Sequence, residues 1–388
     1  MQYNDPITHI GRTTARNAHT PFGIRQADRL QHMFILGQTG TGKSTLLRNL
    51  ILQDIVAGRG CALIDPHGDL VESVVDVVPH EQQHRVIDFD VTNPNLSYGY
   101  NPFAYIHADR RPLLASGILE IFQKLWPKEW GVRMEHLFRN AILTLLEQPH
   151  ATLKDVTRLF QDKQYRQSCL RNVENQTVLD FWKFEFEKYH PRLKAEATIP
   201  INNKLGGFLA NPTLKRILCE SEEPIRLRSI MDDERILLVN LAKGQIGQDA
   251  TNLLGSMLMT SIGLAAYSRS DMDGYDRRPI YVHIDEAHNF VTLSTAAMMA
   301  ELRKYGVALT LVNQYSHQMT IDVREAIFGN AGSLLAFRTG SDDARILERE
   351  FRGSIKARDV MSLPNYEMYV RLMIDGAPSN AFSARTTI

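Results

Sequence analysis

The chain has 388 residues, 44% of them apolar, and its 44 basic residues balance 44 acidic ones. That length suits one large α/β domain with an insertion, or two domains, and the apolar fraction is ordinary for a globular protein. A net charge of zero excludes a global attraction to nucleic acid, so any DNA contact must come from a local patch or from one surface of an assembly. No stretch approaches the roughly eighteen consecutive apolar residues of a membrane span, and the opening Met1-Gln-Tyr-Asn-Asp-Pro6 lacks a signal peptide's charged and apolar regions, which reads as cytoplasmic. Cys61, Cys169 and Cys219 form no C-x-x-C pair, and a sparse, odd set fits reduced buried thiols rather than disulfides or zinc.

In chain order, the first element is an apolar strand, Met33-Phe-Ile-Leu36, followed by Gly37-Gln-Thr-Gly-Thr-Gly-Lys-Ser-Thr45 and an amphipathic helix from Leu46 to Ile55. The loop fits G-x-x-x-x-G-K-[ST], and the strand–loop–helix setting is what a phosphate cradle requires. Gly37, Gln38, Thr39, Gly40, Thr41, Gly42, Lys43, Ser44 and Thr45 are therefore the expected nucleotide-binding residues. The glycines let backbone N–H groups turn toward phosphate oxygens, Lys43 would reach the β- and γ-phosphates, and the Ser44 hydroxyl would ligate Mg²⁺. The expected ligands are ATP and Mg²⁺.

Two further strands follow, Cys61-Ala-Leu-Ile64 ending at Asp65, and Arg85-Val-Ile-Asp-Phe89. From about Ala104 to Ile230 the period changes. Leu114, Ile118, Ile121, Phe122 and Leu125 share one helical face, as do Met134, Leu137, Phe138, Ala141, Ile142 and Leu145. This pattern predicts an all-helical subdomain over 104–230, inserted between core halves at 1–103 and 231–388. Strands return at 235–241, 280–284, 308–312, 333–337 and 368–373, with helix-length segments at 251–267, 294–305 and 342–351 between most of them. Strands alternating with helices imply a largely parallel sheet covered on both faces, with ligands at the carboxyl ends of the strands. The loop at 37–45, Asp65, Asp285 and Gln314 all fall at such ends.

Ile280-Tyr-Val-His-Ile-Asp-Glu286 is an apolar strand ending in paired acids. Asp285 would hold the Mg²⁺ water shell beside Ser44, and Glu286 would orient and polarise the attacking water; the bland alternative is a pair that caps the next element. His283 and His288 lack the helical spacing of zinc ligands and read as packing or hydrogen-bonding residues. Leu309-Thr-Leu-Val-Asn-Gln314 ends in an amide that could touch both γ-phosphate and water, or serve only as a turn amide.

The run from Pro21 to Ser44 resembles the HerA/FtsK superfamily, and within it the conjugative coupling and type IV secretion ATPases of TraG/TraD type. Three further blocks agree: Ile64-Asp-Pro-His-Gly-Asp-Leu70, Asp285-Glu-Ala-His-Asn-Phe290 and Glu301 to Tyr315. Phe328-Gly-Asn-Ala-Gly and Phe337-Arg-Thr-Gly340 also fit, while the helical insert matches least. The resemblance implies an α/β, RecA-like P-loop NTPase core with a mainly parallel sheet and a helical insertion, assembled as a homo-hexamer with single- or double-stranded DNA in its channel. It assigns Lys43 and Ser44 to nucleotide and Mg²⁺, Asp285 and Glu286 to the Walker B acids, Gln314 to the sensor and Arg303 to a finger entering the neighbour's site. Arg338 is the alternative finger or a phosphate sensor in its own subunit. Arg303 lies beyond a helix of about eleven residues, roughly 16 Å long, that leads away from the acids, which puts it at the far edge from its own phosphate site.

The catalytic set expected on this reading is Lys43, Glu286, Gln314 and Arg303, with Ser44 and Asp285 at the metal. Lys243, in the Gly-containing loop 241–247, is a candidate DNA contact or merely a solvated turn residue. Coupling proteins usually carry a membrane anchor, which this sequence does not show. Either a separate anchor, relaxase or effector partner recruits it to the inner membrane face, or it serves DNA processing, packaging or phage defence. Three functional classes compete: a DNA translocase ring, an ATPase ring acting as scaffold or switch for an effector, and a metabolic P-loop kinase. The last is weaker, because a kinase needs an acceptor pocket and lid rather than an arginine supplied in trans.

Overall fold

Residues 7–15, 19–221 and 223–387 are described by the computed structural model, so the opening hexapeptide lies outside the described residues. Thirteen strands form among them. In chain order they are β1 (Thr8–Thr13), β2 (Pro21–Ile24), β3 (Met33–Leu36), β4 (Gly60–Asp65), β5 (Val86–Asp90), β6 (Ile236–Asn240) and β7 (Ile280–Ile284). There follow β8 (Val307–Asn313), β9 (Ser333–Ala336), β10 (Glu367–Arg371), β11 (Met373–Ile374), β12 (Ala377–Pro378) and β13 (Phe382–Thr386).

Eleven of them make one sheet in the order β2-β1-β13-β10-β9-β3-β8-β7-β4-β6-β5, and β11 and β12 pair separately. From β9 to β5 every pairing is parallel, whereas β10, β13, β1 and β2 continue the sheet antiparallel. Every residue of β3, β4, β6, β7, β8 and β9 is buried, because a parallel strand covered on both faces is largely apolar rather than alternating. The helix Lys43–Val56 buries Leu46, Leu47, Leu50, Ile51 and Ile55 against the sheet, in a core that includes Ile35, Leu63, Val312 and Phe337. It stops at Ala57, and Gly58 takes φ of +73°, the left-handed position that glycine supplies at helix ends.

The chain divides into two compact units. The first, residues 1–90, 228–242 and 265–388, holds the sheet; the second, residues 91–227 and 243–264, is helical. The second unit begins earlier than the expected boundary at 104 and also takes 243–264 from what the sequence assigns to the core. Local bonding explains both differences. Tyr100 N–H donates to the Ile217 carbonyl at 2.9 Å and Ile225 N–H to that of Gly99 at 2.8 Å, which ties residues 99–100 to the end of the insert. The Tyr100 hydroxyl also meets Ser261 Oγ at 2.7 Å. Within the unit, the helices Arg111–Leu125 and Val132–Leu145 bury the apolar faces that their periodicity predicts, with Phe122 edge-on to Phe138 at 4.9 Å between ring centroids. All three cysteines are free and buried. No helix among the described residues is long and apolar enough to cross a membrane.

Candidate nucleotide-binding and hydrolysis site

The strand β3 delivers Gly37 to the carboxyl edge of the sheet, and the chain turns through Gly40 and Gly42, at φ of +74° and +112°, before entering the helix at Lys43. Gly40 is required by backbone, Gly37 by space, and Gly42 by both. A Cβ on Gly37 would lie 2.5 Å from Phe337 Cβ, and one on Gly42 would lie 2.8 Å from Tyr366 Cδ1. The loop is braced from the antiparallel side: Gln38 N–H donates to the Arg338 carbonyl at 2.8 Å, and Tyr366 N–H to that of Thr41 at 2.7 Å. Inside it, Thr41 Oγ1 and Lys43 Nζ both donate to the Gln38 carbonyl, at 2.7 and 2.8 Å. No side chain among the described residues caps the helix Lys43–Val56, so its first N–H groups are the donors that an anion takes. Ser44 is exposed at this end and Thr45 half-buried.

Two strands away β7 ends at Ile284, and Asp285 and Glu286 follow. Burial, and secondarily Asp65, push the Asp285 carboxyl up to about 6, while Lys43 pulls it down. Burial lowers Lys43 to about 8, opposed by Asp285 and Glu286. The site is thus rich in carboxylates and short of positive charge, which is the electrostatic setting a divalent cation completes. Ser44 and Asp285 are the residues that would hold Mg²⁺. Asp65 is engaged otherwise: its carboxylate accepts from the N–H groups of His67, Leu70 and Val71 at 2.8, 2.9 and 3.2 Å, fixing the turn after β4.

Glu286 adopts a left-handed backbone, φ +45° and ψ +49°, uncommon for a residue other than glycine and found where a site over-determines its geometry. Its carboxylate accepts from Gln314 Nε2 at 2.8 Å and Asn289 Nδ2 at 3.1 Å, with His67 Nε2 at 3.3 Å. Gln314, at the tip of β8, also accepts from Thr39 Oγ1 at 2.9 Å. A continuous chain therefore runs Thr39–Gln314–Glu286, from phosphate loop to acid. Four contributors to this site carry no signal of their own in the sequence: His67, Asn289, Tyr366 and the backbone of Arg338. The first two lie in the blocks 64–70 and 285–290, which mark the region without assigning either residue a role.

The remaining expectations fall elsewhere. Arg303 is exposed, directly after the helix Leu293–Leu302 and ahead of Gly306, at the amino end of β8 and thus the opposite edge from Lys43. Arg338 lies at the near edge, and its guanidinium is held by the Leu363 carbonyl at 3.0 Å and Asn365 Oδ1 at 2.9 Å. Lys243, expected in an open loop, instead begins a single helical turn, Lys243–Ile246, ended by Gly247 at φ +87°. His283 is wholly buried with Nε2 3.3 Å from Asp54 Oδ2, and the same carboxylate takes a two-pronged pair from Arg29 at 2.6 Å. His288 N–H donates to Asn313 Oδ1 at 3.2 Å. The His283 ring is thus occupied in packing and hydrogen bonding, while for His288 it is the backbone N–H that is bonded.

A parallel sheet with a glycine-rich phosphate loop after β3 and an Asp–Glu pair after β7 defines a P-loop ATPase with a RecA-like core. The family described as the helicase HerA central domain matches residues 8–260, and the chain belongs to that family, of HerA/FtsK type. Among solved structures the chain is similar to the bacterial conjugative coupling protein TrwBΔN70, at 15% identity and a TM-score of 0.67, over 97% of this chain and 89% of that one. It is similar to VirB4 of Thermoanaerobacter pseudethanolicus at 13% identity and 0.66, over 98% and 96%. A further TrwB structure, at 16% identity and 0.65 over 97% and 89%, is a complex with ADP and Mg²⁺. At these identities the likeness is one of fold. Comparison with curated proteins finds no match.

Proposed function

We propose that the chain is an ATP-driven DNA translocase working as a homo-hexameric ring, with each nucleotide held at the interface of two copies. The observation that carries this reading is the division of parts across one sheet. Lys43, Asp285, Glu286 and Gln314 gather at the carboxyl edge, and Arg303 is exposed at the other. The seven residues of β8 span about 23 Å at roughly 3.3 Å each, so Arg303 is out of reach of its own phosphate site. A head-to-tail interface brings it to a neighbour's, and such interfaces close into rings when the rotation permits.

In each site, Lys43 and the N–H groups of the loop bind the triphosphate. Ser44 and Asp285 would hold Mg²⁺, which would supply neutralisation of phosphate charge. Glu286, fixed by Gln314 and Asn289, orients and polarises the attacking water, and the neighbour's Arg303 stabilises charge as it develops. Once the γ-phosphate leaves, Gln314 passes the change from Thr39 to the acid turn. DNA contact in a protein of zero net charge depends on a ring that focuses basic groups into its channel, with Lys243 as a candidate.

The test is ATP hydrolysis with and without single- and double-stranded DNA, run beside a native mass measurement. The expected result is a six-copy mass, hydrolysis stimulated by DNA in a salt-sensitive manner, and no turnover in Lys43→Ala. A monomer with full activity, or salt-insensitive turnover indifferent to DNA, would count against translocation and favour a scaffold or switch role.

A further inference from the structure

The amino edge of the sheet, remote from the phosphate loop, carries a cavity of about 390 Å³. Topology brings distant residues to it. Gln31 and His32 precede β3, Arg303 follows the helix Leu293–Leu302 in the turn that leads into β8, and Gly332 precedes β9. Because β10 runs antiparallel to β9, its last residue, Arg371, arrives at the same edge, and Arg352 comes from the turn after the helix Ser341–Glu350. Three arginines thus line the cavity, and among the described residues no aspartate or glutamate does.

In a chain with equal numbers of acids and bases this is a local concentration of positive charge, with Glu350 acting on Arg371 from outside the lining. Arg303 and Arg352 are exposed and Arg371 is half-buried. Arg371 Nη1 donates to the backbone carbonyl of Glu350, while its Nε is buried with no hydrogen-bond partner among the described residues. Burial depresses the Arg371 guanidinium, Glu350 opposes this, and Arg352 adds to it by like charge. Arg352 itself sits at φ +54°, a conformation costly for a long side chain. The wall behind them includes His32, whose ring burial keeps neutral. His32 Nε2 lies 2.7 Å from the Met299 carbonyl and Nδ1 accepts from Leu309 N–H at 3.0 Å, so both ring nitrogens are used. Guanidiniums gathered in a cavity that no described carboxylate residue lines are relieved by an anion, and their planar forks match phosphate oxygens.

We propose that Arg352 and Arg371 join Arg303 in one socket that clasps the terminal phosphate of the nucleotide held by the neighbouring copy. This rests on the ring reading of the function. It makes the trans contribution a cluster: Arg303 and Arg352 meet the phosphoryl oxygens, and Arg371 closes the socket from the strand side. No bond or proton of the socket changes; it acts only on charge that develops during hydrolysis.

The test uses the full chain with Arg352→Gln and Arg371→Gln, which keep most of the stem and an amide. Both are expected to assemble as the wild type does and to keep KM, while kcat falls about 10- to 100-fold. Combining either with Arg303→Ala should lose less than the product of the separate losses, as residues serving one phosphate do. Arg371→Lys should recover part of the rate; no recovery in a variant of unchanged Tm would overturn a role through charge. Wild-type kcat in both glutamine variants, in rings where Arg303→Ala is dead, overturns the socket and leaves the ring reading standing. Turnover independent of protein concentration and indifferent to Arg303→Ala removes the ring reading, and the socket's trans role with it. Inorganic pyrophosphate is the probe for a free anion. Its saturable binding to dilute Lys43→Ala protein, abolished by Arg371→Gln, would overturn the assignment to the neighbour's nucleotide.

Discussion

The two edges of the sheet are built on opposite principles. At the carboxyl edge each charged group is held within a network: Glu286 by Gln314 and Asn289, Asp65 by three N–H groups, Lys43 by the Gln38 carbonyl. At the amino edge three guanidiniums line a cavity to which no described carboxylate contributes. One edge gathers the phosphate loop with acids and amides; the other gathers guanidiniums. On the proposed function, the contrast teaches that a half-site shows itself by electrostatic imbalance, where a complete site shows itself by internal bonding.

The comparison breaks most sharply at Arg303. Arg303→Ala is expected to bind ATP normally yet lose about 10³- to 10⁵-fold in hydrolysis, and to poison mixed assemblies with wild-type protein. Normal hydrolysis by the variant, or strictly proportional activity on mixing, would show that the amino edge plays no part in chemistry. Next in size is Glu286→Gln at the carboxyl edge, with a loss of about 10²- to 10⁴-fold and the nucleotide retained. Filter binding that shows ATP lost rather than trapped would recast Glu286 as structural. Gln314→Ala removes one hydrogen bond to a charged acceptor, worth about 1.5 kcal/mol, so roughly tenfold in kcat is expected with KM unchanged. A tenfold rise in KM alone would place Gln314 in ground-state binding.

The smallest effect lies in stability. Burial lowers His32 to about 4, with Arg303 contributing. Its folded value is depressed below the ordinary 6.5, so its neutral form contributes stability above that pH, lost progressively as pH falls toward 4. The difference amounts to about 3 kcal/mol across the window. Urea denaturation between pH 7 and 4 should show this slope, and His32→Asn should flatten it. An unchanged slope would mean that other groups carry the acid sensitivity.

The carboxyl edge is largely legible in the amino-acid sequence. Buried parallel strands are continuous apolar runs, so β3, β4 and β7 announce themselves, and Gly42-Lys-Ser44 and Asp285-Glu286 lie at their tips. The antiparallel flank is not legible in the same way. Thr8–Thr13 and Phe382–Thr386 are short and mixed in polarity, and their pairing joins opposite ends of the sequence, which no local pattern encodes. The amino-edge cavity is hidden for the same reason: residues 303, 352 and 371 meet only once β10 has reversed direction beside β9. The helical faces around Phe122 and Phe138 follow from their periodicity, but the start of that unit at 91 depends on backbone bonds from Gly99 and Tyr100 to the far end of the insert.

The place of β13 between β1 and β10 has a consequence for how the chain is made. On the ribosome β1 and β2 emerge well before β13, the strand that joins them to the sheet, which follows about 370 residues later, roughly 20–75 s at ordinary elongation rates. During that interval β1 presents an unpaired edge, a template for wrong pairing within the chain or with another nascent chain. The same late strand sits beside β10, next to Tyr366, whose N–H braces the phosphate loop at Thr41. The brace on Thr41 therefore forms only after the strand region around Tyr366 has been made, long after the loop it supports.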